Sequence, residues 1–298
     1  MDARMRGEIH NPNGMTTLKS VRNAIWLLTG AAAIVSIDAK AVDAPGGSVA
    51  NASPATDDAK ELAKQLSNPV AALISVPFQN NFEFGGGPKD DGFRYQLNFQ
   101  PVIPFSINTN WNLISRTILP VISQHDMVGT SSQSGLGDIT QSIFLSPKEP
   151  TSGGWIWGAG PALLIPTATE DLLGTEKLGL GPTAVLLKQE RGWTYGALAN
   201  HIWSVAGEGG RQDVNATFLQ PFLAYTTKSQ TTFTVNSEST YDWEPEQWTV
   251  PINLMAAQLV KIGKKPVQFQ LGGKYYAEGP SGASKWGLRF SVTLLFPK

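Results

Sequence analysis

From residue 73 onward the chain alternates apolar and polar residues, segment after segment. In "ISVPFQNNFEF" (74–84), Ile74, Val76, Phe78, Phe82 and Phe84 share one face of an extended strand, and Ser75, Gln79, Asn81 and Glu83 share the other. "FRYQLNFQP" sets Phe93, Tyr95, Leu97 and Phe99 against Arg94, Gln96, Asn98 and Gln100, and "VQFQLGGKYY" sets Val267, Phe269, Leu271 and Tyr275 against Gln268, Gln270 and Lys274. "WGLRFSVTLLFPK" places Trp286, Leu288, Phe290, Val292, Leu294 and Phe296 opposite Gly287, Arg289, Ser291 and Thr293, with Leu295 out of phase. Side chains of a strand point alternately to opposite faces, so a period of two means a sheet with one apolar and one polar surface. No helical period interrupts the run, which argues against a parallel βαβ fold.

About twelve such segments are expected, near 73–84, 93–103, 111–122, 137–146, 155–166, 179–188, 193–204, 214–226, 231–242, 247–261, 266–277 and 285–296. The sixth, "LGLGPTAVLLK", has the least clear faces. Mostly tight turns ("SINTN", "SPKEPTSG", "QERG", "TKSQ", "GKKP") alternate with longer polar or Gly-rich loops, of which 123–135 is the longest. An even strand count with short turns at one end and longer loops at the other fits an outer-membrane barrel. A soluble β-sandwich or lipocalin-like barrel also alternates, but its apolar face points inward. Tryptophan placement separates the two. Trp111, Trp155, Trp157 and Trp193 start strands at the short-turn end, while Trp203, Trp248 and Trp286 lie at the loop end with Trp243 just beyond. Two aromatic groups at opposite strand ends are what a pair of membrane interfaces selects.

Proline resists this pattern, recurring in "QPVIPF", "ILPVI", "LLIPT", "LGPTAV", "LQPFLAY" and "VPINL". It cannot donate to a ladder, so bulges or interfacial positions have to absorb it.

The N-terminal portion reads as an export signal. Lys19 and Arg22 precede "AIWLLTGAAAIVSI" (24–37), and "DAKAVDA" follows, so cleavage is expected after Ala41, with Met15 the expected true start. Residues 1–41 are thus signal peptide and 42–72 a linker with a short helix. Within them "VDAPGGSVANASPA" (42–55) reads as linker and "TDDAKELAKQLSNP" (56–69) as helix, capped by Thr56, striped by Ala59, Leu62, Ala63 and Leu66, and ended by Asn68-Pro69. About ten residues are marginal alone, so the helix must dock, inside the lumen as a plug or beneath it in the periplasm. Residues 73–298 form the barrel. The fold expected is all-β, an antiparallel transmembrane barrel of about twelve strands with a short N-terminal helix.

Net charge is −1, which gives no reason to expect nucleic acid as partner. There is no cysteine, so thiol catalysis, disulfides and Cys metal sites are excluded. Past the signal, His125 and His201 are the histidines; the first reads as a solvated loop residue and the second as an interfacial one. "SGLGD" (134–138) is no nucleophile elbow, and "PKDDG" and "TATEDL" lack ordered calcium-ligand spacing. Neither catalysis nor a cofactor or metal is therefore expected, and an outer-membrane hydrolase is the weaker alternative.

The polar faces supply the lumen candidates: Gln79, Asn81, Glu83, Arg94, Gln96, Asn98, Gln100, Arg116, Asp138, Asn236, Glu238, Gln268, Gln270, Lys274 and Arg289. Such a lumen is wettable and carries both charge signs. The alternative is a narrow barrel in which these residues pair with one another, Glu83 with Arg94 for instance, and fill the interior.

"ELAKQLSNPVAALISVPFQNNFEF", "WNLISRTILPVI", "SGLGDITQSIF", "GGWIWGAGPALLIPTAT" and "TLLFPK" resemble a family of proteobacterial outer-membrane proteins usually labelled transporters, sometimes misleadingly neuromedin-like. The chain is similar to the outer-membrane proteins linked to the phenol meta-cleavage pathway. The resemblance implies an outer-membrane channel for small solutes, hydrophobic or aromatic compounds among them, with lipid and the barrel assembly machinery as partners and no catalytic residues. Barrels commonly end on an aromatic residue; here Phe296 is followed by Pro297-Lys298.

Overall fold

The computed structural model describes residues 54–297. The expected signal peptide (1–41), the Met15 start and nearly all of the linker (42–55) lie outside the described residues. Twelve antiparallel strands form one closed barrel. They are β1 (Ile74–Gly86), β2 (Gly92–Phe99 and Val102–Ser106), β3 (Trp111–His125), β4 (Ser132–Leu136 and Ile139–Pro147), β5 (Trp155–Ile165) and β6 (Lys177–Glu190). Then follow β7 (Trp193–Gly207), β8 (Asn215–Thr226), β9 (Thr231–Ser237 and Ser239–Asp242), β10 (Gln247–Ile262), β11 (Lys265–Glu278) and β12 (Trp286–Phe296). Each pairs with the next, and β12 pairs with β1 (Phe78 opposite Val292), which closes the ring. The expected loop 123–135 is shorter than its composition suggested. Ser132–Leu136 continues β4 and pairs with the top of β3, because Ser and Gln there bond across the ladder, Gln124 to Gln133 at 2.9 Å.

The apolar faces point outward. Leu254 and Leu271 are each 64% exposed, and Phe233, Leu288 and Phe290 stand beside them on the outer wall. Aromatic contacts gather at both rims: Trp111 with Trp157, Trp155 with Tyr195 and Trp193 with Tyr225 at the turn end, and Tyr241 with Trp243 and Trp248 at the loop end. On β7, Trp193 and Trp203 are ten residue steps apart. At ~3.3 Å per residue and a tilt of ~40° that is about 25 Å, the depth of a membrane apolar band.

The prolines sit where the ladders are already open. Pro161 and Pro182 face each other across β5 and β6, so their missing N–H groups point to the outer neighbours. There the β4–β5 ladder lapses between Ser142–Ala162 and Leu145–Ala159, and the β6–β7 ladder between Leu180–Trp203 and Thr183–Asn200. Each proline follows a glycine, since a Cβ on Gly160 would meet the Ile143 carbonyl oxygen and one on Gly181 that of His201. Pro120 lies beside the break in β4, where Gly137 N donates to Pro120 O at 2.9 Å. Pro221 on β8 and Pro251 on β10 flank the break in β9 at Glu238. Interruptions of this kind bend strands and re-aim side chains.

Helix α1 (Pro54–Leu66) begins before the expected Thr56 cap, because proline suits the first helical turn, where the N–H that it lacks would have no partner anyway. Its stripe of Ala59, Leu62, Ala63 and Leu66 packs with Ala71 and Leu73 against Leu259 of β10 and Leu295 of β12. Leu295, out of phase in the sequence, thus points inward to meet the helix and is 2% exposed. Val70 enters a second cluster, Ile114, Phe144, Val185, Leu187 and Leu198, on the inner wall of β3, β4, β6 and β7. Gln189 Nε2 donates to Lys64 O at 2.8 Å, fixing the helix end to the β6–β7 rim. The helix and the residues after it therefore occupy the turn-end mouth of the barrel.

Candidate functional site

The register of β11, β12, β1 and β2 stacks the inward polar side chains in rows. Lys274, Gly287, Glu83 and Arg94 form the row nearest the loops; below it lie Gly272, Arg289, Asn81 and Gln96, then Gln270, Ser291, Gln79 and Asn98. Gln268 and Thr293 continue the series toward the turns, level with Pro77, whose carbonyl accepts from Gln100 N. Alternation set by the pleat, together with a register free of slips along these pairs, delivers one polar wall.

Two ion pairs cross this wall. Lys274 Nζ donates to Glu83 Oε1 at 2.7 Å, and Tyr276 Oη donates to the same oxygen at 2.7 Å. Arg289 donates both terminal nitrogens to the Glu238 carboxylate at 2.8 and 2.7 Å and its Nε to Asn81 Oδ1 at 2.8 Å. The break in β9 brings Glu238 to this position. Planar two-bond pairing of this sort is the strongest form of ionic hydrogen bond. Arg94 stands directly opposite Glu83 in the register, yet the carboxylate goes to Lys274 instead, and the buried Nε of Arg94 has no hydrogen-bond partner among the described residues. Arg116 donates to Gln100 Oε1 at 3.4 Å and forms no ion pair among them. Arg94 and Arg116 thus stand outside the two close ion pairs, although Arg94 is near enough to Glu83, and Arg116 to Glu238, to feel its charge.

Inside the barrel lies a cavity of about 420 Å³. Gln79, Asn98, Gln100, Arg116, Asn236, Glu238, Gln268, Gln270 and Arg289, all expected in the lumen, line it. Asn81, Glu83, Arg94, Gln96 and Lys274 lie on the same inner wall, in the two rows nearer the loops; Gln96 Nε2 donates to Asn98 Oδ1 at 2.8 Å. Asp138 stands apart. Its carboxylate accepts from Ala168 N at 3.1 Å and from Thr175 N and Oγ1 at 2.6 and 2.7 Å, so it ties down the 166–176 loop at the barrel rim. Leu66, Ser67 and Pro69 form part of the cavity wall at its turn end. Across the cavity Ile202, Phe218 and Phe222 add large apolar surface, with Asn200 and Gln220 between and beside them, and Ile118 adds to it on β3. Sequence reasoning missed that surface, because alternation assigned every large apolar residue to lipid. One signal was present: a striped helix that must dock needs an apolar patch to receive it.

At the loop rim, Ser132 Oγ lies 2.5 Å from His125 Nδ1, and Asp126 Oδ2 lies 3.0 Å from His125 Nε2. The His125 side chain is 62% exposed. His201 faces outward, 2.7 Å from Thr217 Oγ1 and against Trp203, as an interfacial residue does. Among the described residues no cluster of His, Asp and Glu is arranged to hold a metal.

Among solved structures the chain is similar to an outer membrane channel from Pseudomonas putida F1, with a TM-score of 0.60 and 17% identity over 75% of this chain and 94% of that one. It also overlaps the β-domain of the Bordetella autotransporter Brka (TM-score 0.44, 10% identity, 76% of this chain and 100% of that one). A further overlap is with outer membrane phospholipase A of Escherichia coli (TM-score 0.42, 12% identity, 75% and 96%). No protein-family profile matches the chain, and no curated protein matches its sequence. The first likeness is one of fold. Together with the outward apolar belt and its two aromatic rims, it identifies a transmembrane barrel of the bacterial outer membrane.

Proposed function

We propose that the chain is an outer-membrane channel for passive entry of small solutes, with the lumen as path and α1 with residues 67–73 as its plug. The observation that carries this reading is the cavity of about 420 Å³, walled by amides and both signs of charge and bounded at the turn end by Leu66, Ser67 and Pro69. A wall of amides can exchange hydrogen bonds with water and solutes alike, so passage needs no strong site. The turn end is then the periplasmic side. Residues 1–41 are the export signal, cut after Ala41, and the barrel assembly machinery inserts 73–298. Hydrophobic or aromatic solutes, the class implied by resemblance to phenol-pathway proteins, would travel along the Phe218 and Phe222 wall.

The test is single-channel current in planar bilayers from chain 42–298 and from a chain starting at Asn68. Discrete steps from the first support a water-filled path, and steps only from the second make the helix a plug. Silence from both, with the heat-dependent gel shift of a folded barrel, sinks the open path and leaves a filled structural barrel.

One observation favours a second reading, a rim hydrolase: the Ser132–His125–Asp126 contacts. The serine meets Nδ1 and the carboxylate Nε2, the reverse of the usual serine-hydrolase arrangement, and the imidazole is open to water. Labelling of Ser132 by a fluorophosphonate would support that reading, and its absence would remove it.

A further inference from the structure

We propose that the lumen cavity is a binding site for a small amphipathic monocarboxylate, its carboxylate paired with Arg116 and its apolar body against Phe218 and Phe222. The inference deepens the channel reading and rests on it, since it names the solute class that the path selects.

Charge accounting leads to Arg116. Arg289 takes both oxygens of Glu238, and Lys274 with Tyr276 takes Glu83. Arg116 is left facing the cavity with one partner, Gln100 Oε1 at 3.4 Å, long for a hydrogen bond. A guanidinium presents a planar fork that fits a carboxylate with two parallel bonds. Gln79 and Asn98 line the same cavity and offer amide donors beside it.

The rest of the ligand is set by the far wall. Strand β8 lies five places round the twelve-strand ring from β3, so Phe218 and Phe222 face Arg116. Both rings rest on the buried Ile114, Phe144, Leu187 and Leu198 cluster, which holds them firm. A cavity near 420 Å³ falls in the range of small-molecule sites and takes a body of one ring or a short chain. A dianion fits less well: among the lining residues Arg116 is the cation outside a close ion pair, and Glu238, whose charge it already feels, lines the cavity too. A neutral compound would leave the guanidinium with its long contact to Gln100 alone as a hydrogen bond.

The experiment is isothermal titration of the folded full-length barrel in detergent with benzoate, benzyl alcohol and acetate, beside bilayer recordings. Benzoate is expected to bind at least about tenfold more tightly than either of the others, as a charged hydrogen bond and an apolar wall together predict. Arg116→Gln is expected to remove that advantage while leaving benzyl alcohol unchanged, and Phe222→Ala to weaken benzoate but not acetate. Heat-dependent gel mobility reports whether each variant folds, and the wild-type comparison needs no variant. Equal affinity for benzoate and benzyl alcohol overturns the proposal, as does full benzoate affinity in folded Arg116→Gln. Benzoate binding without any current supports the site while the channel reading fails; currents with no benzoate binding do the reverse.

Discussion

Glu83 on β1 and Lys274 on β11 meet at 2.7 Å across Gly287, the β12 residue that separates them. The strands are not neighbours, so the bridge exists because the residue between has no side chain. Their side chains are 10% and 8% exposed.

Removing one partner strands the other charge. Lys274→Met is expected to destabilise the barrel by about 3 kcal/mol, and Lys274→Met with Glu83→Leu by clearly less. Gly287→Val should resemble the single change, since its Cβ would meet the Phe82 carbonyl oxygen at 2.6 Å and stand between the two charges. Urea unfolding in lipid vesicles, followed by tryptophan fluorescence, reads all three.

Glycines of the barrel wall are predicted to divide sharply. Gly181→Ala drives a methyl against the His201 carbonyl oxygen beside Pro182, whereas a Cβ on Gly273 meets nothing within 4 Å. Gly181→Ala should fail to give the heat-modifiable band; Gly273→Ala should give it at wild-type yield. An unaffected Gly181→Ala would refute this account of the glycine–proline steps.

A tethered plug should stay shut. Ala63 and Leu259 belong to one apolar cluster, and the chain has no cysteine to interfere. The pair Ala63→Cys and Leu259→Cys is expected to form a disulfide. Bilayer currents should then rise on adding a reductant and fall on oxidation. Currents indifferent to redox state would mean that the helix does not obstruct the path.

Acid should loosen the 208–214 loop. Asp213 accepts from Lys177 Nζ at 2.9 Å and Ser204 Oγ at 3.1 Å, and these contacts, the lysine first, hold its carboxyl below the usual carboxylate value. A carboxyl lowered in the folded state stabilises at pH above its unfolded value, and that contribution disappears as pH falls through the lowered one. Limited proteolysis of the loop should therefore increase below about pH 4. Asp213→Asn should be cut readily at every pH, without that rise.

Strand number and facing were legible because a membrane barrel demands strict alternation, and the polar wall of β11, β12, β1 and β2 obeys it residue by residue. The least clear segment, "LGLGPTAVLLK", shows where that logic ends. Leu178 and Leu180 face outward while Val185 and Leu187 face a helix-bearing interior, so both faces are apolar. The Glu83 partner was illegible too. Arg94 stands opposite it, but the choice of Lys274 depends on a gap at Gly287 that only the three-dimensional register creates. Proline positions signalled interruptions, yet that Pro161 would face Pro182 required knowing the pairing of β5 with β6.

Leu295 belongs to the final strand, and it is packed against a helix that precedes the first. The ring closes only when β12 reaches β1, and closure in this arrangement clasps α1 and the residues after it within the mouth. The helix has to be in place before the last seam forms, or thread in afterwards past Leu259 and Leu295. The contact thus couples two events far apart along the chain: the seating of the N-terminal helix and the closing of the ring by its final strand.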